Sequence, residues 1–153
     1  MCLTSNQSVQ QQEMIKLVTS KPLQQRTVLN CNNLLMREAQ KKAIDMIKRG
    51  YYGHVDPDGH GMNYTLKIAG YPLPSYYQQN IDANNVEALA AGPDFNLAQN
   101  AFQGFLNSPK HRSQILGLST GWAAQDEYGI GFAISNNSKY THYWVVIIAK
   151  QED

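Results

Sequence analysis

Apolar residues recur at helical spacing over residues 34–49, where Leu35, Ala39, Ala43, Met46 and Ile47 share one face. Asn32 or Asn33 can cap the start of this predicted helix, and Gly50 suits the left-handed residue that ends one. Residues 13–18 predict a shorter helix, limited by Pro22, and about 61–69 a third that stops at Gly70. A fourth, about 95–106, buries Leu97, Ala98, Ala101, Phe102 and Phe105. Gly104 inside it costs about 1 kcal/mol relative to alanine, which implies close packing at that point. Ser108-Pro109 is a helix-start signature, a hydroxyl cap followed by proline in the first turn, and it opens a short helix carrying His111 and Arg112.

After Gly117 the period changes. Over 128–135, Tyr128, Ile130, Phe132 and Ile134 fall on one face and small residues on the other. Residues 140–149 are aromatic and β-branched, then almost continuously apolar, and Asn136, Asn137 and Ser138 between the two runs are turn formers. This is a β-hairpin, with 121–124 as an added outer strand. Helices followed by a sheet apolar enough for cover on both faces predict an α/β fold, a three-layer α/β/α sandwich with a small antiparallel sheet between helices. Residues 1–12 are polar and amide-rich without an apolar face and read as a tether before a single domain, 13–153.

Composition narrows the function. The 153 residues carry 13 basic and 12 acidic side chains, and charged residues make up 16%, against roughly 25% in an ordinary globular protein. Amides fill the gap: the 13 asparagines and 14 glutamines outnumber the charges. There is no basic excess to neutralise phosphates, which argues against a nucleic-acid binder. No apolar run approaches the ~18–20 residues of a membrane span. Two cysteines cannot build a disulfide-rich scaffold or a cysteine zinc site. The start lacks a secretory signal, so the chain is either cytosolic or a mature form with its signal removed. In the second case Cys2 before a polar spacer resembles a processed bacterial lipoprotein, with the lipid carried on that cysteine. Alternatively Cys2 pairs with Cys31, a bond worth roughly 3–4 kcal/mol in the chain-entropy model, or both remain free thiols.

Four histidines, His54, His60, His111 and His142, are candidates for chemistry, and none shows the short helical spacing of a zincin site. Asp56-Pro57-Asp58-Gly59 resembles a calcium loop but lacks the third ligand position and the closing glutamate, and a turn explains it better. Ser108 near His111 has no orienting third group, so a serine nucleophile is not indicated. No nucleophile elbow, P-loop or dinucleotide fingerprint is present.

Taken together, AIDMIKRGYYGHVDPDGHG, IAGY, VEALAAG, FLNSPKHRSQIL, YGIGFAI and HYWVVIIA follow one another in an order that resembles the CAP superfamily (cysteine-rich secretory, antigen 5 and pathogenesis-related proteins). The likeness is to its small, cysteine-poor bacterial branch and spans about residues 10–149. The helix-to-histidine block and the Ser-Pro-Lys-His-Arg block are its most specific parts. The resemblance implies an α/β/α sandwich and a cleft gathering two histidines and two acids. His54 and His111 match the histidines. Two residues compete for the first acid. Glu87 keeps the carboxylate and stands 18 residues before Phe105, whereas Gln79 keeps the Asn-Ile pair that follows. Glu87 is preferred. The second acid's place falls to Ser108.

The resemblance further implies a non-catalytic protein, extracellular or anchored on a bacterial surface (an outer-membrane lipoprotein included), that binds a lipid, a sterol-like molecule or a host protein in a cleft of His54, Glu87, His111, Ser108 and Gln79. Two alternatives accompany it. One is a zinc-dependent hydrolase or protease with His54 and His111 on the metal and Glu87 as base, zinc being the one cofactor implied. The other is a degenerate scaffold.

Overall fold

The computed structural model describes Cys2 and residues 7–153. Among these residues the elements run α1 (Val9–Thr19), β1 (Asn30–Cys31), α2 (Asn33–Arg49), α3 (Met62–Ala69), β2 (Glu87–Gly92), α4 (Ala98–Leu106), α5 (Pro109–Leu116), α6 (Thr120–Ala123), β3 (Glu127–Ile134) and β4 (His142–Ala149). The sheet order is β1-β3-β4-β2. β2, β4 and β3 pair antiparallel, and the two residues of β1 add a short parallel edge to β3.

Alternation along the strands divides the core in two. Trp144, Val146 and Ile148 of β4 pack with α1, α4 and α5 residues such as Met14, Val18, Phe102, Phe105 and Ile115. Tyr143, Val145 and Ile147 face the other way, onto Leu35, Ala39, Ala43 and Met46 of α2 and Met62 and Leu66 of α3. The result is the expected three-layer sandwich. Small residues of β3 let α2 lie directly on the sheet: a Cβ on Gly129 would stand 2.1 Å from the Leu35 carbonyl carbon, and one on Gly131 2.3 Å from the Ala39 oxygen. Gly104 has the close neighbour its position implied, Phe95, whose Cζ would lie 2.8 Å from an added Cβ.

Caps set the boundaries. Asn32 Oδ1 accepts from the amides of Leu34 and Leu35, and Gly50 ends α2 at φ 68°. Helix α1 begins at Val9 rather than at residue 13, because Ser8 and Gln11 form a capping box. Gln11 is buried, so residues 9–12 belong to the domain and not to a tether. Residues 1 and 3–6 of that segment lie outside the described residues. Residues 120–123 form the short helix α6, capped by Ser119, and not the outer strand expected over 121–124. The edge position is taken by β1 instead. Beyond the end of β1, side chains satisfy the β3 backbone. Gln40 both donates to the Phe132 carbonyl (2.9 Å) and accepts from its amide (2.8 Å), Gln11 donates to the Ile130 carbonyl, and Met36 Sδ accepts from the Ile130 amide.

Cys2 and Cys31 form a disulfide with a Cα–Cα distance of 5.5 Å. A sulfur held in this bond cannot also carry a thioether-linked lipid, so the two fates of Cys2 exclude one another. The bond ties residues 29 apart. Reduction, or Cys31→Ser, is expected to lower stability by roughly 3–4 kcal/mol, read as a reductant-dependent shift in the urea midpoint.

Candidate functional site

The loop after α2 presents His54. Lys42 Nζ donates to the His54 carbonyl (3.3 Å) and sits 4.9 Å over the Tyr51 ring, which fixes the loop against the helix. Farther along, Asp56 Oδ1 accepts from the amides of Asp58 and His60, and Arg49 bridges Asp45 and Asp58 at 2.8 and 2.7 Å. The aspartate stretch is therefore a turn held by an arginine, as the missing calcium ligands imply.

Glu87, the first residue of β2, meets His54 there. Its Oε1 lies 2.9 Å from His54 Nδ1, and its side chain is fully buried. A carboxylate only accepts, so Nδ1 donates the hydrogen of this bond. Asn84 aims the carboxylate: its Oδ1 accepts from the amides of Val86 and Glu87, and its Nδ2 donates to the Glu87 carbonyl. The second carboxylate oxygen, Oε2, is buried without a hydrogen-bond partner among the described residues.

His111 enters from the first turn of α5 and lines the same cavity of about 280 Å³ as His54 and Glu87. It packs edge-on to Phe105 at 5.6 Å. Burial, then the charges of His54 and Lys110, hold its pKa below the ordinary 6.5. The unfolded chain thus binds this proton more readily. The group's support for the fold is complete above about pH 6.5 and withdraws as pH falls from there through the lower folded value. An NMR titration should place the His111 midpoint below 6.5, and Lys110→Ala should move it upward.

Six further residues close the cavity: Gln78, Asn84, Asn85, Lys110, Gln114 and Trp122. Spacing carries a signal for Gln114, which lies three positions after His111 on the same helix. Trp122 stands out only as a lone aromatic in a polar stretch. Both are held by Arg26, which is 2% exposed. Its guanidinium donates to the carbonyls of Ile115 (2.7 Å), Gln114 (2.7 Å) and Trp122 (2.8 Å). Burial lowers the Arg26 pKa to about 10.

Not every expected residue joins this group. Gln79 is exposed, bonds to the carbonyls of Ser75 and Tyr77, and lines a separate cavity of about 580 Å³ beside α3. Ser108 precedes Pro109 as the cap residue of α5, yet its hydroxyl makes no capping bond, and it does not line the cavity of His54 and His111. His142 is a core residue bonded through Nδ1 to the Gly92 carbonyl, and His60 packs on Tyr64.

The donors present fit a catalytic zinc poorly. Glu87 Oε1 is engaged by His54, which leaves two imidazoles where such a site keeps three protein ligands. Among the described residues no group of three His, Cys, Asp or Glu side chains is arranged to hold a metal ion.

Comparison with known proteins places the chain in a family. Two solved structures share the fold. An outer surface protein from Borrelia burgdorferi is 17% identical, with a TM-score of 0.60 over 92% of this chain and 86% of its own. An extracellular protein containing a SCP domain from Bacillus anthracis is 21% identical, with a TM-score of 0.55 over 82% of this chain and 35% of its own. The chain thus spans about a third of the second protein's length. No curated protein matches the sequence. Residues 24–148, a span that holds every residue of the His54 cavity, match the profile of the cysteine-rich secretory protein family. The chain belongs to that family, the CAP superfamily.

Proposed function

We propose that this chain is a non-catalytic binding protein that works outside the cytosol, at or beyond a bacterial surface, and takes its ligand in the His54–Glu87–His111 cleft. The observation that carries the reading is Glu87: a fully buried carboxylate with one oxygen orienting His54 and the other unpartnered, in the wall of an open cavity. A buried polar atom left unpaired costs about 1–3 kcal/mol, and a site that receives a ligand supplies the reason to keep it. The missing second acid supports binding over catalysis, because a single carboxylate provides no acid/base pair with separated pKa values. The Cys2–Cys31 disulfide supports an oxidising compartment. Surface and extracellular location of the two structural neighbours points the same way.

The test is a binding panel of sterols, fatty acids and saccharides, followed by calorimetry on His54→Ala and His111→Ala. At least one ligand is expected to bind saturably and to lose tenfold or more in affinity in both variants. Binding that ignores both substitutions would refute the reading, and turnover of a peptide or ester substrate by zinc-loaded protein would overturn its non-catalytic part.

A further inference from the structure

We infer that the cleft ligand is a neutral, hydroxyl-rich ring: one saccharide unit of a glycan. The inference rests on the cleft being a binding site and goes on to name the class of ligand. The hydrogen-bonding inventory of the walls sets the class. Glu87 Oε2 accepts only and has no partner among the described residues. Gln114 is 3% exposed and lines the cavity, and its carboxamide carries two donors and an acceptor. His111, held below its ordinary pKa, is a neutral imidazole at pH 7 with one donor and one acceptor. Lys110 adds donors at the same wall. A ligand that satisfies this set must both donate and accept from closely spaced atoms, which is what neighbouring hydroxyl groups do.

Charge and shape exclude the other classes. An anion meets the Glu87 carboxylate, and a cation meets Lys110. A sterol or an acyl chain needs apolar walls, whereas the one large apolar surface in the lining is the Trp122 indole. An aromatic face beside hydroxyl-bonding groups suits the C–H face of a pyranose, whose rim is polar and whose flat side is not. The volume of about 280 Å³ admits one ring with the rest of a glycan outside, near the lower end of ligand sites at roughly 300 Å³. Arg26 makes the arrangement rigid before any ligand arrives, since one buried guanidinium fixes the carbonyls of both Gln114 and Trp122. Preorganisation of this kind lowers the entropy lost on binding.

The experiment titrates the whole chain with glucose, galactose, N-acetylglucosamine and their β1–4 tetramers, by calorimetry and tryptophan fluorescence. Trp144 is fully buried in the core, so a ligand-dependent emission change reports Trp122. At least one saccharide should bind saturably, and Gln114→Ala, Glu87→Gln and Trp122→Ala should each weaken it tenfold or more. His111→Gln serves in place of any variant whose near-UV circular dichroism is lost. Equal saccharide affinity in all variants would overturn the assignment of the ligand to this cleft. If cholesterol or palmitate binds in a cleft-dependent way and no saccharide competes, the cleft remains a binding site and the glycan inference fails. If neither class binds, both fall together.

Discussion

Gly129→Val is expected to destabilise the domain by more than about 4 kcal/mol, at the severe end of single substitutions. The cause is backbone against backbone. An added Cβ would sit 2.1 Å from the carbonyl carbon of Leu35 and 2.4 Å from the amide nitrogen of Met36. Neither can rotate away as a side-chain tip would, so α2 must lift off β3. The cost spreads because α2 buries Leu35, Ala39, Ala43 and Met46 against the sheet and leads into the loop that presents His54. For a domain of this size each kcal/mol lowers the melting temperature by about 2–4 °C, so a fall on the order of 10 °C is expected. Gly121→Ala is the control: its added Cβ meets nothing within 4 Å, and the change should stay within about 0.5 kcal/mol. A melting temperature for Gly129→Val within 2 °C or so of the parent protein would mean that α2 and β3 do not approach as described.

Arg26→Met should cost on the order of 4 kcal/mol and should also loosen the cleft. The methionine fills the space but leaves the carbonyls of Gln114, Ile115 and Trp122 without their shared donor. Two of these carbonyls belong to the last turn of α5, where a positive charge is also favoured by the helix dipole. Arg26→Lys should recover only part of the loss, because one ammonium cannot reproduce the fork that spans α5 and α6. The two effects are separable. Urea denaturation reads the stability, and quenching of Trp122 emission by iodide reads the loosening. A Met variant as stable as the parent, with unchanged quenching, would remove Arg26 from the role given to it.

Local signals were legible where local physics decides. The face of α2, a cap at Asn32 or Asn33 and the helix-ending glycines Gly50 and Gly70 follow from spacing and steric freedom alone. The hairpin of β3 and β4 is read from alternation and turn formers. β2 was not legible as a strand, because Glu-Ala-Leu-Ala-Ala-Gly is rich in helix formers. It is extended because β4 pairs with it from Ile147 to His142, and long-range pairing outweighs intrinsic preference. The same limit hid α6, a single turn whose capping signal is Ser119.

The cleft divides along the same line. His54 and His111 stand in recognisable blocks. Glu87 and Gln79 both imitate one motif in sequence, and geometry separates them: Asn84 anchors the backbone of Glu87 so that its carboxylate reaches His54, while Gln79 bonds within its own loop. Arg26 and Trp122 carried no motif, since their partners lie about ninety residues away along the chain. The expected hydroxyl cap at Ser108 is not made, and α5 starts without it because Pro109 already fixes the helical φ in the first turn.

The glutamines along β3 have a wider consequence. A strand whose outer amides and carbonyls are free can template a strand from another molecule, the first step of domain swapping and fibril growth. Here β1 covers the beginning of that border, and Gln11, Met36 and Gln40 occupy Ile130 and Phe132 beyond it. An amide-rich composition is often associated with aggregation, yet at these positions the amides act as gatekeepers. With Met36 they occupy the outward groups of Ile130 and Phe132, so an incoming strand finds no backbone partner at those two residues.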